Sequence, residues 1–263
     1  FCWSLLGRLR ESEPVAFETM RHGMGSLVEQ LAQRLGASLS CQRPAQSIQR
    51  EADGTWSVNV GNPDQTLRAK KLILAVPAWM AARLLRSLDG QQQLTRELAS
   101  IAYLSSATVN LHYRVGDISN PTKAYGMVIP HRENRQILAC TYSHRKYPGR
   151  CPEGGVLLRA YLGGTYFPRV DLFSDNELAD IAHQELASLL GIRQPPTGTL
   201  VGRYMDAMPV YGIGHRQRVA RIQQSMSQLP GLVLAGNYLT AVGIPDCIES
   251  GRKAVSSLSD ELF

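Results

Sequence analysis

Two apolar runs, far apart in the chain, constrain the fold more than any other feature of this sequence. The first covers residues 72–76 and ends at Pro77, and the second covers residues 232–235 and ends at Gly236. A continuous apolar run of this kind is typical of a strand buried on both faces of a parallel sheet. Because Pro suits the first turn of a helix, residues 78–88 are predicted to be helical. The two runs therefore indicate an α/β domain.

The residues before the first run predict one helix and a meander of short strands. Apolar residues recur at helical spacing over residues 25–35, with Ser26 as the expected N-cap and Gly36 as the stop. Asp53 and Gly54 form a hairpin signal between two alternating segments. Short strands are expected at residues 38–41, 45–50, 56–60 and 67–69.

From Ala107 the pattern changes to alternating strands, which predicts a second domain inserted into the first. Residues 108–113 alternate between polar and apolar side chains, as a strand with one solvated face does. Further strands are expected at 126–129, 136–142, 155–162 and 200–205, and helices at 174–191, 217–228 and 248–258. The expected fold class is α/β with an antiparallel insert of α+β character.

Composition and charge argue against several functional classes. The 28 basic and 22 acidic residues of the 263 give a net charge of +6, but the basic residues are scattered, so no nucleic-acid partner is expected. Five cysteines without a CxxC pair indicate reduced thiols in the cytoplasm and no metal site. The longest nearly uncharged apolar stretch, residues 72–85, is shorter than the roughly 20 residues needed to cross a bilayer, which predicts a soluble protein.

The segment from Ala235 to Gly251, which reads AGNYLTAVGIPDCIESG, is the most specific motif of the chain. It resembles the C-terminal flavin motif of the protoporphyrinogen oxidases, within the flavin amine oxidase superfamily, and the bacterial oxygen-dependent form is the most similar. Three further stretches agree in order. Residues 23–28 resemble the family's Gly-rich turn and helix, residues 72–77 its returning strand, and residues 207–215 its Ala-Ile-Pro-Gln-Tyr and Gly-His segments.

The resemblance implies an FAD-binding, Rossmann-like domain of the amine oxidase type that is assembled from separated pieces. Residues 1–95 would be its middle segment and residues 203–263 its last segment, with a substrate-binding domain over residues 96–202 inserted between them. Relatives begin with a strand, a GxGxxG turn and a helix, and the sequence contains no GxGxxG. The expectation is therefore a fragment, the C-terminal part of a longer enzyme, without the N-terminal βαβ unit.

The activity that the resemblance implies is FAD-dependent oxidation of a porphyrinogen to a porphyrin in heme biosynthesis, with molecular oxygen as electron acceptor. It does not separate protoporphyrinogen IX from coproporphyrinogen III. A cytoplasmic location is expected, and the hydrophobic substrate adds peripheral membrane association as an option. Two alternatives stay open: a superfamily flavoenzyme acting on an amine or a carotenoid, and a cofactor-free remnant without turnover. The oligomeric state is not readable.

The resemblance places six residues at the FAD: Ala45, Tyr204, Gly236, Val242, Gly243 and Ile244. The backbone of residues 242–244 is expected against the flavin ring and ribityl chain, and the helix that follows would stabilise negative charge on the reduced ring. Ala45 would touch the adenine half through its backbone. Tyr204 takes a position that is often aromatic in relatives, and a core tyrosine is the alternative reading.

Tyr161, Gly163 and Gly164 are expected to line the porphyrinogen pocket, although a turn at the end of a strand would explain the two glycines equally well. No catalytic acid or base is assigned. His215 follows Gly214 in the motif, but a histidine without a placed carboxylate is more often structural.

Overall fold

The computed structural model describes residues 19–61, 63–119, 123–165 and 167–259. The chain divides into two compact units. The first contains the described residues up to Ser40, Thr108–Leu162 and Asp175–Val201, and the second contains Cys41–Ala107, Gly163–Ser174 and the described residues from Gly202 onward. The assignment of chain segments to a flavin domain and a substrate domain stays a prediction.

The helices and strands follow one another in a mixed order, which fits the α/β class with an inserted sheet. In chain order they are α1 (Gly25–Leu35), β1 (Ala45–Arg50), β2 (Trp56–Val60), β3 (Gln65–Ala69), β4 (Leu72–Leu74), α2 (Ala78–Leu85), α3 (Gln92–Ala99), β5 (Tyr103–Arg114), β6 (Gly126–Val128), β7 (Ala139–Tyr142), α4 (Ser143–Lys146), β8 (Gly155–Gly163), α5 (Asp175–Leu190), β9 (Gly198–Pro209), α6 (His215–Met226), β10 (Leu232–Leu234) and α7 (Ile244–Ser259).

The second unit contains the two apolar runs, and both form strands of a parallel sheet, as the sequence predicts, in which they pair with each other. Strands β4 and β10 are parallel, with Leu72 opposite Leu232 and Leu74 opposite Leu234. Within the described residues, these two strands make up the whole parallel sheet. Leu74 is buried but Ile73 is only partly buried, so the expectation of burial on both faces is met only in part.

Strands β1, β2 and β3 form an antiparallel meander, which precedes β4 in the chain and belongs to the same unit. Arg50 pairs with Trp56 across the hairpin, and Gly54 takes the positive φ of 82° that its turn requires. Trp56 is fully buried, and its Nε1 donates to the backbone oxygen of Pro230 at 3.3 Å. The core around Trp56 includes Ile48, Leu74, Ala81, Leu84, Leu85, Leu94, Leu98, Ile222 and Leu232.

The first unit contains most of a five-stranded sheet in the order β6-β7-β8-β5-β9. Strand β7 is antiparallel to both of its neighbours, β6 and β8, which confirms the predicted antiparallel sheet. Alternate residues of β5 point into the core and are fully buried, as the alternation in the sequence indicates. The first residues of β5 and the last residues of β9 belong to the second unit.

Four local predictions need correction. Residues 38–41 form no strand, because a short 3₁₀ turn over Gly36–Ser38 continues the path of α1. Ser26 is not the N-cap of α1: Met24 takes that position, and the Ser26 hydroxyl donates to the backbone oxygen of Gly23 at 2.7 Å. Helix α2 ends at Leu85 rather than at residue 88. Helix α7 begins at Ile244, four residues before its predicted start.

Two helices have an apolar face that the described residues leave exposed. Helix α1 has no buried residue, and Val28, Leu31 and Leu35 are 67%, 53% and 53% exposed. On α7, Ile244 and Ile248 are about half exposed, whereas Ala254 and Leu258, further along that helix, are buried. Over the part of the chain that the structure describes, no helix combines the length and the apolar character needed to cross a membrane.

Candidate functional site

The candidate site lies in the second unit, where the chain leaves β10 and enters α7. Gly236 follows the strand with a φ of 155°, and its N–H donates to the Ser250 hydroxyl oxygen at 3.1 Å. A Cβ at Gly236 would lie 2.8 Å from a ring carbon of Tyr238, closer than such atoms approach. Glycine is therefore required at this turn by the packing of the loop itself.

Two side chains from residues just before and at the start of α6 hold the loop after Gly236. The Tyr211 hydroxyl donates to the backbone oxygen of Asn237. His215 Nε2 lies 2.9 Å from the backbone oxygen of Tyr238 inside the protein, and the Tyr211 and His215 rings are 4.7 Å apart between centroids. Burial, more than any nearby group, raises the pKa of Tyr211 to about 12. The loop backbone is thus fixed by hydrogen bonds from two side chains that pack against each other.

The start of α7 presents backbone donors that the protein does not use. The N–H groups of Val242, Gly243 and Ile244 have no hydrogen-bond partner among the described residues, whereas the Cys247 N–H donates to the Gly243 oxygen at 2.9 Å. Helix α7 is 16 residues long, so its N-terminus carries a partial positive charge. Free donors at such a terminus suit an anion or an electron-rich oxygen.

Asp246 lies in the first turn of α7, beside these donors. A Cβ at Gly243 would meet its carboxylate oxygen at 2.5 Å, so glycine leaves the space that the carboxylate occupies. An acidic side chain in the first turn stabilises the helix.

A cleft of about 530 Å³ opens on the same side of the unit, between α6, β10 and α7. Apolar side chains such as Ile222 and Leu234 form part of its wall, and Asp246 and Lys253 provide charge. A second cleft, of about 580 Å³, includes Tyr211, His215 and Thr240 in its lining. The loop that Tyr211 and His215 hold is therefore bordered by two open spaces.

Comparison with known proteins identifies the family. Residues 2–258 match the family described as flavin containing amine oxidoreductase. The chain belongs to this family. The match covers nearly the whole sequence and confirms the resemblance drawn from the motifs.

Individual relatives of this chain include porphyrinogen oxidases of two kinds. Coproporphyrinogen III oxidase of Bacillus subtilis is 31% identical over 248 residues, which are 94% of this chain and 52% of the relative. Protoporphyrinogen oxidase of Bos taurus is 31% identical over 265 residues, which are 96% of this chain and 54% of the relative. The chain thus spans about half the length of these curated relatives.

A solved structure shows the same fold. A protein of Exiguobacterium sp. 255-15, provisionally assigned as a protoporphyrinogen oxidase, superposes with a TM-score of 0.83 at 27% identity, covering 97% of this chain and 55% of that one. The predicted fold class of the flavin amine oxidases is thereby confirmed.

Family membership implies FAD as the cofactor, and the start of α7 fits it. The three free N–H groups and the helix terminus form a donor set for the electron-rich side of a flavin ring. The sequence predicts Gly236 and residues 242–244 at this place. Gly236 lies in the turn after β10, and residues 242–244 lead into α7.

The other predicted cofactor residues lie elsewhere in the same unit. Ala45 is the first residue of β1 and pairs with Val60, and a bulge between Ala45 and Ser47 interrupts the register there. Tyr204 lies in β9 and is 49% exposed among the described residues. Their contacts with FAD stay predictions.

The three predicted substrate residues occur at the end of β8. Tyr161 pairs with Ala139, and its hydroxyl lies 3.3 Å from the Thr141 hydroxyl. Gly163 has a φ of 114°, and a Cβ there would lie 2.6 Å from the backbone oxygen of Ser105, so its own unit requires glycine. The Gly164 N–H donates to the same Ser105 oxygen at 3.1 Å. Their place in a substrate pocket stays a prediction.

Sequence reasoning noted Tyr211 and His215 as motif residues but did not assign the contacts that fix the loop. The spacing of the motif carried no sign that both side chains reach backbone oxygens more than 20 residues ahead. The bond from His215 to Tyr238 and its burial favour a structural role for this histidine over that of a base.

Proposed function

We propose that this protein oxidises a porphyrinogen to the corresponding porphyrin with FAD, in heme biosynthesis, and that molecular oxygen accepts the electrons. The observation that carries the proposal is the similarity to both coproporphyrinogen III and protoporphyrinogen oxidases over 94% and 96% of the chain. Identity to the two kinds of relative is equal at 31%, so the proposal includes either porphyrinogen as substrate.

When bound, FAD supplies the acceptor for successive two-electron oxidations, taking a hydride from a methylene bridge carbon. The chain's own residues bind and orient it. The backbone N–H groups of residues 242–244 would donate to the flavin ring, and the N-terminus of α7 would stabilise the negative charge that reduction adds. Ala45 would hold the adenine half through its backbone, and Tyr204 would lie near the flavin.

The substrate part of the proposal assigns the pocket wall to Tyr161, Gly163 and Gly164. The similarity to porphyrinogen oxidases supports this assignment, and the three residues lie together at the end of β8. A cytoplasmic location with peripheral membrane association fits the hydrophobic substrate.

The test uses the complete gene product that includes this chain. The purified protein is expected to be yellow, and anaerobic addition of protoporphyrinogen IX or coproporphyrinogen III should bleach the flavin absorbance while porphyrin fluorescence rises. Admission of oxygen should restore the absorbance. The ratio of kcat/KM values for the two substrates then identifies the preferred one. A colourless protein that stays without flavin after incubation with FAD would contradict the proposal and favour the cofactor-free alternative.

A pair of variants tests the role of α7 in binding the flavin. Val242→Glu places a negative charge beside the free N–H groups and should weaken FAD binding at least about tenfold, a cost of about 1.4 kcal/mol. Val255→Glu makes the same change on an exposed part of the same helix and serves as the control. Equal FAD dissociation constants for both variants would count against the proposed contact.

A further inference from the structure

Three polar side chains of the first unit form a cluster that the proposed function does not use. His112 lies on β5, Cys151 precedes β8, and Thr197 immediately precedes β9. A Cβ on Gly155 would lie 2.6 Å from Cys151 Sγ and 2.6 Å from His112 Nε2. The sulfur and the nitrogen are therefore separated by at most twice that distance. Glycine at position 155 leaves the space in which the thiol and the imidazole face each other.

The Thr197 hydroxyl has two contacts with His112, one with Nδ1 at 2.6 Å and one with the backbone oxygen at 3.2 Å. Both are hydrogen bonds at the same time only when Nδ1–H donates to the hydroxyl oxygen and the hydroxyl donates to the backbone oxygen. In the neutral ring, Nε2 then has the free lone pair. Nε2 is shielded from solvent and has no hydrogen-bond partner within the described residues. Its lone pair is therefore not engaged by another donor among those residues, and the neighbouring thiol is close to it without being hydrogen-bonded to it.

The thiol needs such a base. Burial raises the pKa of Cys151 above its ordinary value, so the thiol does not ionise readily by itself at neutral pH. Cys151 is nevertheless only partly buried, whereas Cys140 is fully enclosed. A partly accessible thiol, a base beside it and a third group that orients the base are the arrangement that activates a cysteine nucleophile.

We propose that Cys151 is a peroxide-reactive thiol, with His112 as its general base and Thr197 as the residue that positions His112. In the reaction, the Cys151 proton moves to Nε2 and the sulfur attacks one oxygen of hydrogen peroxide. The O–O bond breaks as the S–O bond forms, and the proton from Nε2 joins the leaving hydroxide to give water. The sulfur is oxidised by two electrons to a sulfenic acid, and the peroxide is reduced.

The test adds hydrogen peroxide as a reagent, so its result does not depend on the proposed oxidase activity. The full chain is treated with peroxide and dimedone, which traps sulfenic acids, and labelling of each cysteine is followed by mass spectrometry. Cys151 is expected to be labelled at least about tenfold faster than the fully exposed Cys41. Labelling of Cys151 at or below the rate of Cys41 would overturn the proposal.

Two variants separate the base from the structure around it. His112→Asn keeps a donor near the position of Nδ1 but removes Nε2, and it should lower the Cys151 labelling rate about tenfold or more. Thr197→Val removes the acceptor for Nδ1–H and should lower the rate, whereas Thr197→Ser should restore it. His22→Asn, at an exposed histidine, is the control. An unchanged rate in His112→Asn, with an unchanged melting temperature, would refute the role of His112.

Discussion

The imidazole of His215 and the backbone oxygen of Tyr238 are joined by a buried hydrogen bond of 2.9 Å. The bond connects the first residue of α6 to the loop that leads into α7. Tyr238 is fully buried, so its carbonyl has no access to water as an alternative partner at this contact. The conformation of the loop therefore depends on a side chain that enters the fold 23 positions earlier.

Replacing His215 should destabilise the protein through this carbonyl. His215→Ala leaves a buried acceptor unpaired and is expected to lower the free energy of unfolding by about 1–3 kcal/mol. His215→Gln can extend an amide donor towards the same oxygen and should recover part of the loss. Urea unfolding of the three proteins measures both effects. Equal losses for Ala and Gln would show that packing rather than the hydrogen bond is responsible.

The turn at Gly236 should tolerate no side chain. Gly236→Ala places a Cβ 2.8 Å from the Tyr238 ring, and the overpacking is expected to cost about 1–3 kcal/mol of unfolding free energy. Gly212→Ala is the matched control, because nothing lies within 4 Å of its Cβ position, and it should change stability by less than about 0.5 kcal/mol. Thermal unfolding compares the two, and similar melting temperatures would contradict the prediction.

The Tyr211 hydroxyl should lose its proton at a higher pH than an ordinary tyrosine does. Burial raises its pKa to about 12, so its tyrosinate absorbance, taken as the difference between the wild type and Tyr211→Phe, should have a midpoint near that pH. In the unfolded chain a tyrosine ionises near its ordinary value of 10.0. The unfolded state thus loses the proton first, and the contribution of Tyr211 to stability is present below pH 10 and is lost as the pH rises towards 12. A midpoint near 10 in the folded protein would refute this.

The ion pair between Glu97 and Arg221 should contribute at neutral pH and fade in acid. Arg221 donates to both carboxylate oxygens, at 2.5 and 3.0 Å, and this lowers the pKa of Glu97 below 4.5. Arg221→Ala is expected to lower the free energy of unfolding by about 0.2–1 kcal/mol at pH 7. Because the pKa of Glu97 is lowered on folding, that difference should shrink as the pH falls below 4.5.

The control for this pair is Arg216→Ala, at an exposed position of the same helix. It should leave the acid dependence unchanged. If the loss in Arg221→Ala were the same at pH 3 and at pH 7, the ion pair would not be its cause.

The local patterns predicted most elements because the physical signals lie within each element. The run ending at Pro77 indicates a strand followed by a helix, and β4 and α2 form there. The predicted strand at residues 38–41 was wrong: among the described residues no strand pairs with this segment, and the 3₁₀ turn after α1 forms instead. Pairing partners are a tertiary property that a short window does not contain.

The same limit of short sequence patterns applies to the candidate site. The sequence indicated Gly236 and the start of α7, since a strand, a glycine loop and a helix follow one another without interruption. It did not indicate the contacts of Tyr211 and His215, because both bonds end on backbone oxygens, which have no residue-specific signature. The proximity of His112 and Cys151 was missed as well. The two side chains come close to each other only once β5 and the turn before β8 have folded.

The Trp56 indole is fully buried, and its hydrogen bond to the backbone oxygen of Pro230 joins residues 174 positions apart. During synthesis, the Trp56 side chain leaves the ribosome long before its partner exists. The core of the second unit is therefore completed only when residues 222–238 have been synthesised, whereas the strands over residues 126–163 pair with near neighbours and form early. A nascent chain stalled before residue 230 would expose Ile48, Trp56 and Leu74 together, which makes this intermediate a natural substrate for chaperones.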